Sequence, residues 1–140
     1  MYDQAWAETA FTAVRSERNS PLFTQIVVLQ ATILYGQDRT QEAIELLSER
    51  TKEYPLGDVP YSAMAIMQRK TGQLDQAMQT LIRGNDATDG TSAEINYNLG
   101  LVSLELGNID DARLYADNAY RLGYPLPGLR AKLDRLARDE

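Results

Sequence analysis

Four short phrases ending in alanine recur along the chain: "YDQA" at 2–5, "TQEA" at 40–43, "LDQA" at 74–77 and "IDDA" at 109–112. Their closing residues, Ala5, Ala43, Ala77 and Ala112, stand 38, 34 and 35 residues apart. A near-constant period of this size describes units that each pack on the next, not a chain folding about one centre. In 140 residues there is room for three such units and a helix at each end.

Each period reads as two helices. "SPLFTQIVVLQATILYGQD" opens with Ser20 as N-cap and Pro21 at the first helical position, and ends near Gly36. "RTQEAIELLSERTKEYP" follows, capped by Thr40 and stopped by Pro55. The second pair runs from Asp58 to Gly72 and then through "QLDQAMQTLIRG" to Gly84. The third opens on "TSAE", where Thr91 and Glu94 have the spacing of a capping box. It turns at Gly107, restarts after Asn108 and stops at Gly123. Nothing alternates with period two over a useful length, so the expected class is all-α. Alanine suits the recurring position because two helices joined by a short turn come close there and only a small side chain fits.

The expected organisation is a single α-solenoid domain. It comprises an N-terminal helix at 1–18, repeats at 20–55, 57–89 and 91–124, and a capping helix at 126–139. In the last of these, Leu129, Leu133 and Leu136 fall on one face while Arg130, Lys132, Asp134, Arg135 and Arg138 cover the rest. An apolar stripe with a polar back is what the open end of a solenoid needs.

Composition removes several function classes. There is no Cys and no His, hence no disulfide, no thiolate nucleophile and no histidine base or metal ligand. Net charge is −6, which disfavours a generic nucleic-acid or anionic-membrane surface. The most apolar run, "IVVLQATILY" at 26–35, is too short to span a bilayer. "NDATDG" at 85–90 lacks the ligand spacing of a calcium loop, and Asp110 and Asp111 complement a helix start. The expectation is a non-enzymatic protein with no cofactor and no metal.

These residues resemble tetratricopeptide repeats. The third unit carries the likeness best, with Asn98, Leu99, Gly100, Gly107, Ala112 and Ala119 at the family's spacing. The second contributes Tyr61, Gly72, Ala77 and Leu81, and the first Ala31, Ala43, Leu47 and Pro55. The early aromatic of the family is replaced by Val27 and Asn96 in two units, so the repeats are degenerate. They look similar to bacterial members of the family, including lipoproteins and pilus or secretion assembly factors.

The resemblance implies a concave groove lined by the first helix of each unit, holding a segment of another protein as an adaptor or scaffold does. Carried over position by position, the groove residues are Gln25, Val28, Thr32 and Tyr35; Ser62, Ile66, Arg69 and Lys70; and Glu94, Tyr97, Asn98, Leu101, Leu104 and Glu105. Val28 and Thr32 stand where some members clamp a carboxylate, so a full clamp is not expected; Arg69 and Lys70 offer pairing to an acidic group. The expected partner is a protein or peptide segment, not a nucleic acid.

"YDQA" reads as the second helix of a unit, which suggests a missing first helix: either the chain was cut there or something else fills that place. Either the helix swings round to cap the first repeat, or Trp6 or Phe11 is left open to a second copy, giving a homodimer. On this reading Tyr2, Trp6, Ala10, Ala13 and Val14 share one face, with Phe11 outside it. The sequence does not name the compartment: it is the cytoplasm, or the periplasm with a lipid anchor if an upstream export signal was removed.

Overall fold

A computed structural model describes residues 4–14, 21–54 and 56–139. They form eight helices and no strand: α1 (Gln4–Val14), α2 (Pro21–Gly36), α3 (Thr40–Glu53), α4 (Val59–Lys70), α5 (Leu74–Ala87), α6 (Ala93–Glu105), α7 (Ile109–Arg121) and α8 (Gly128–Asp139). Helices adjacent in sequence pack on one another. In addition α2 touches α4, α4 touches α6, and α6 touches α8. That second set of contacts makes a stack of helical pairs whose first members lie side by side, an α-solenoid.

The turns inside the pairs show why the period is kept. Gly72 and Gly107 have φ of 78° and 84°, a left-handed conformation that glycine takes at no steric cost. The chain then folds back so that Gln73 N bonds to Gln68 O and Asn108 N to Ser103 O, both at 2.8 Å. The first pair makes the same turn with Asp38 at φ 60° and Arg39 N on Leu34 O at 2.9 Å. Gly36 there is still helical.

Ala43, Ala77 and Ala112 are each 0% exposed, as their place beside the turn requires. Ala5 is exposed, whereas Ala7 is buried. Ala5 therefore does not share the burial of Ala43, Ala77 and Ala112. Of its phrase, Tyr2 and Asp3 lie outside the described residues and Gln4 is partly buried, so burial along α1 follows the helix face that meets α2.

Other local expectations are corrected. Gly84 does not end α5; it lies inside it, buried, where a Cβ would come within 2.8 Å of Tyr61 Cβ and 2.9 Å of Ile95 Cδ1. Glycine there serves close helix approach. The cap of α6 is Ser92, not Thr91: Ser92 Oγ accepts from Ile95 N at 3.1 Å and donates to Asp58 Oδ2 at 2.7 Å. Thr91 Oγ1 instead donates to Thr88 O at 2.6 Å. Asp58 thus ties the start of α4 to the start of α6 and makes no side-chain cap bond of its own. Arg39 precedes α3, with Thr40 already helical, and Asn108 makes no side-chain cap bond. Ser20 and Pro55 lie outside the described residues.

The main core runs from Phe11 through Phe23, Val27, Leu47, Met64, Leu81 and Leu99 to Val102. A second cluster, Ala112, Ala116, Leu129 and Leu133, seats α8. Leu129 and Leu133 are buried and Leu136 is 37% exposed, so two of the three expected cap leucines do the sealing. No helix among the described residues is long and apolar enough to cross a membrane.

Candidate functional site

The face shared by α2, α4 and α6 divides into two unlike halves. On α4, Val59, Ala63, Ile66 and Lys70 follow one another at helical spacing, and none of them is fully buried. Ser62 stands at the edge of that stripe and is 1% exposed, its hydroxyl without a partner. Asn98 is similarly placed on α6 and 7% exposed. Neither fronts a groove: helices pressed on both sides leave only a narrow arc open, and both residues fall under its edges. Val28, Tyr35 and Ile66 remain half-buried, with Gln25 and Thr32 exposed.

The third-repeat residues are largely covered by α8. Tyr97, Leu101 and Leu104 pack against the cluster of Ala112, Ala116, Leu129 and Leu133. Tyr97 also stacks on Tyr124, ring centroids 4.0 Å apart at 22°, and meets Tyr120 edge-on at 6.5 Å. Tyr120 Oη donates to Leu126 O at 2.9 Å and accepts from Arg130 N at 3.2 Å, while the Arg130 guanidinium lies 3.9 Å over its ring. Such contacts combine apolar burial with cation–π attraction and fasten the start of α8. Burial, then the neighbouring Tyr97 and Glu94, pushes the Tyr124 hydroxyl above its ordinary pKa. Sequence reasoning missed this clasp, although Tyr120 and Tyr124 at i, i+4 were a visible signal.

The two cations expected to meet an acidic ligand are engaged across helix seams. Arg69 on α4 pairs with Glu105 on α6, with Nε 3.0 Å from Oε1. Lys70 Nζ lies 5.6 Å from the ring centre of Tyr35 on α2. Both side chains hold neighbouring repeats together, so their charges are partly committed before any ligand arrives.

Two clefts remain open along this side. The first, about 340 Å³, is lined by Thr24, Gln25, Val28, Leu29, Thr32 and Val59. Three of those six are expected groove positions. Leu29 and Val59 were not anticipated, although Val59 is an apolar residue left 47% exposed. Thr32 Oγ1 is occupied by Val28 O at 2.8 Å and Thr24 Oγ1 by Leu56 O at 3.4 Å, which leaves Gln25 as the exposed amide on the rim. The second cleft, about 390 Å³, lies at the end of the stack between Leu104, Ile109, Lys132, Arg135, Leu136 and Asp139.

At the N-terminal end the face of α1 turned inward is Ala7 and Phe11, with Gln4 and Ala10 partly buried. Phe11 is 8% exposed, 5.3 Å from Phe23 and 6.4 Å from Tyr54 between ring centres, with Arg50 Cζ 4.0 Å over its ring. Phe11 is thus spent inside the fold, because α1 lies on α2 and covers the first repeat. Trp6 is 43% exposed on another side. Tyr2 lies outside the described residues, as do the side chains of Ala13 and Val14.

Among solved structures the chain is similar to the crystal structure of PcrH from Pseudomonas aeruginosa. The TM-score is 0.62 at 16% identity, over 82% of this chain and 86% of that one. At that identity the likeness is one of fold: an all-α, tetratricopeptide-like helical repeat. No family model matches the chain, and no curated protein matches it by sequence.

Proposed function

We propose that the chain is a non-enzymatic interaction module that holds a segment of a partner protein against α2 and α4. The observation that carries this reading is the cleft of Val28, Leu29 and Val59, an apolar floor open to solvent with Gln25 on its rim. An apolar side chain of the partner fills the floor, and the Gln25 amide both donates to and accepts from the partner backbone. Burying one leucine-sized anchor is worth about 1.5–3 kcal/mol, enough to decide whether a weak segment stays bound. The likeness to PcrH supports the architecture of the groove without naming its occupant.

The experiment is affinity capture with quantitative mass spectrometry on wild type, Val28→Asp and Val59→Asp. Both substitutions place a charge on a partly open floor, so thermal melts are expected to stay near wild type. Proteins enriched by wild type are expected to be lost by both variants. Equal recovery of the same proteins by all three would reject the reading.

A further inference from the structure

A second patch on this molecule matches the cleft at its C-terminal end. Leu114 on α7 is 58% exposed, a large apolar side chain left mostly open to solvent. Around it on the same helix face stand Asp110, Asp111 and Asp117, all exposed, with Arg121 beyond them held to Asn118 Oδ1 at 2.8 Å. The cleft has the opposite character. It is lined by the apolar Leu104, Ile109 and Leu136 and by Lys132 and Arg135, with Asp139 one helical turn beyond Arg135. Lys132 and Arg135 are exposed and make no ion pair with a described residue.

We infer that a second copy of this chain docks here, the Leu114 patch of each protomer seated in the Lys132–Arg135 cleft of the other. Apolar floor meets apolar anchor, and two cations meet three carboxylates, which is the complementarity that selects a partner and steers its approach. The two surfaces adjoin within one chain: Ile109 lines the cleft, and Asp110 and Asp111 begin the patch. A two-fold axis near that junction makes both contacts at once, and such an interface closes on itself as a dimer instead of growing into a filament. This is independent of the groove on α2 and α4, and it uses the opposite end of the solenoid from Trp6.

The test is sedimentation velocity of the full chain over a wide concentration range at low and high salt. Wild type is expected to dimerise and to weaken as salt rises, because exposed charges are screened. Lys132→Glu/Arg135→Glu and, separately, Asp111→Lys/Asp117→Lys are each expected to raise the dissociation constant at least tenfold. Mixing these two variants restores attraction at both contacts, so heterodimers are expected at near wild-type strength. That rescue also shows that neither variant lost affinity by unfolding. Leu114→Ala, a surface truncation, is expected to weaken the dimer as well. A strict monomer at every concentration overturns the proposal. So does a dimer that ignores the charge reversals, or one abolished by Trp6→Ala instead.

Discussion

Thr80 Oγ1 donates a hydrogen bond to Gln68 Oε1 across 2.8 Å, joining α5 to α4 where both residues are almost out of solvent. Two polar side chains inside a helical pair are tolerated because each satisfies the other. Thr80→Val removes the donor, strands the Gln68 oxygen, and is expected to cost about 1–3 kcal/mol in chemical denaturation. Thr80→Val with Gln68→Leu removes both halves and is expected to cost clearly less than the two single changes added together. Strict additivity in that double-mutant cycle would show that the bond contributes nothing.

Glycine at 84 and glycine at 36 make opposite demands. A Cβ on Gly84 meets Tyr61 Cβ at 2.8 Å, and the Tyr61 backbone is fixed in the adjacent helix, so Gly84→Ala is expected to destabilise by about 1–3 kcal/mol. Gly36 is helical and has nothing within 4 Å of that point. Gly36→Ala is therefore expected to stabilise, by about 0.5–1 kcal/mol, through lost freedom of the unfolded chain. Thermal melts of the two variants should move in opposite directions.

Glu94 on α6 titrates above its ordinary value, first because it is partly buried and then because the Asp58 carboxylate is near. A carboxyl whose folded pKa is raised favours the protonated form in the native state. Its contribution to stability is thus greatest below the unfolded pKa and is lost as pH rises through the folded one. Glu94→Gln is expected to raise the melting temperature at neutral pH, with the gain disappearing below about pH 4, near the unfolded pKa. An equal gain at every pH would show that charge is not the cause.

Ala7 is buried and Ala5 is exposed, so the repeat register can be checked residue by residue. Ala7→Glu puts an unpaired charge against α2 and is expected to detach α1 or lower stability strongly. Ala5→Glu is expected to stay within about 0.5 kcal/mol of wild type, as surface changes do. If Ala5→Glu were the damaging one in urea denaturation, the four-alanine alignment would be right and the face of α1 assigned here wrong.

The difference between these two alanines shows where sequence stops being informative. Period, the turn glycines Gly72 and Gly107, and the buried Ala43, Ala77 and Ala112 were legible because each reports a constraint local to one helical pair. The face of α1 was not, since it depends on which neighbour it meets, and packing on α2 turns Phe11 inward. The groove was half legible for the same reason. Val28 and Thr32 line an open cleft, whereas Tyr97 and Leu101 occupy equivalent positions and pack against the cluster that seats α8. A position in a repeat predicts a direction. Whether that direction meets solvent is decided by the element that follows.

Phe11 packs with Phe23 and Tyr54, themselves 4.9 Å apart edge to face, and this cluster is what holds α1 to the first repeat. Phe11→Ala removes a ring that is nearly fully buried, a change that typically costs about 3–5 kcal/mol, and it takes away the contacts of α1 with Phe23 on α2 and with Arg50 and Tyr54 at the end of α3. The expected outcome is local release of α1 with the remaining repeats folded. Trp6 is the single tryptophan of the chain and sits on that helix, which makes its fluorescence a reporter of α1 alone. In wild type the urea transitions followed by Trp6 fluorescence and by far-ultraviolet circular dichroism should coincide, as for one cooperative unit. In Phe11→Ala the fluorescence change should come at clearly lower urea, with most of the helical signal intact. Coincident transitions in the variant would mean that α1 is held by something other than the aromatic cluster.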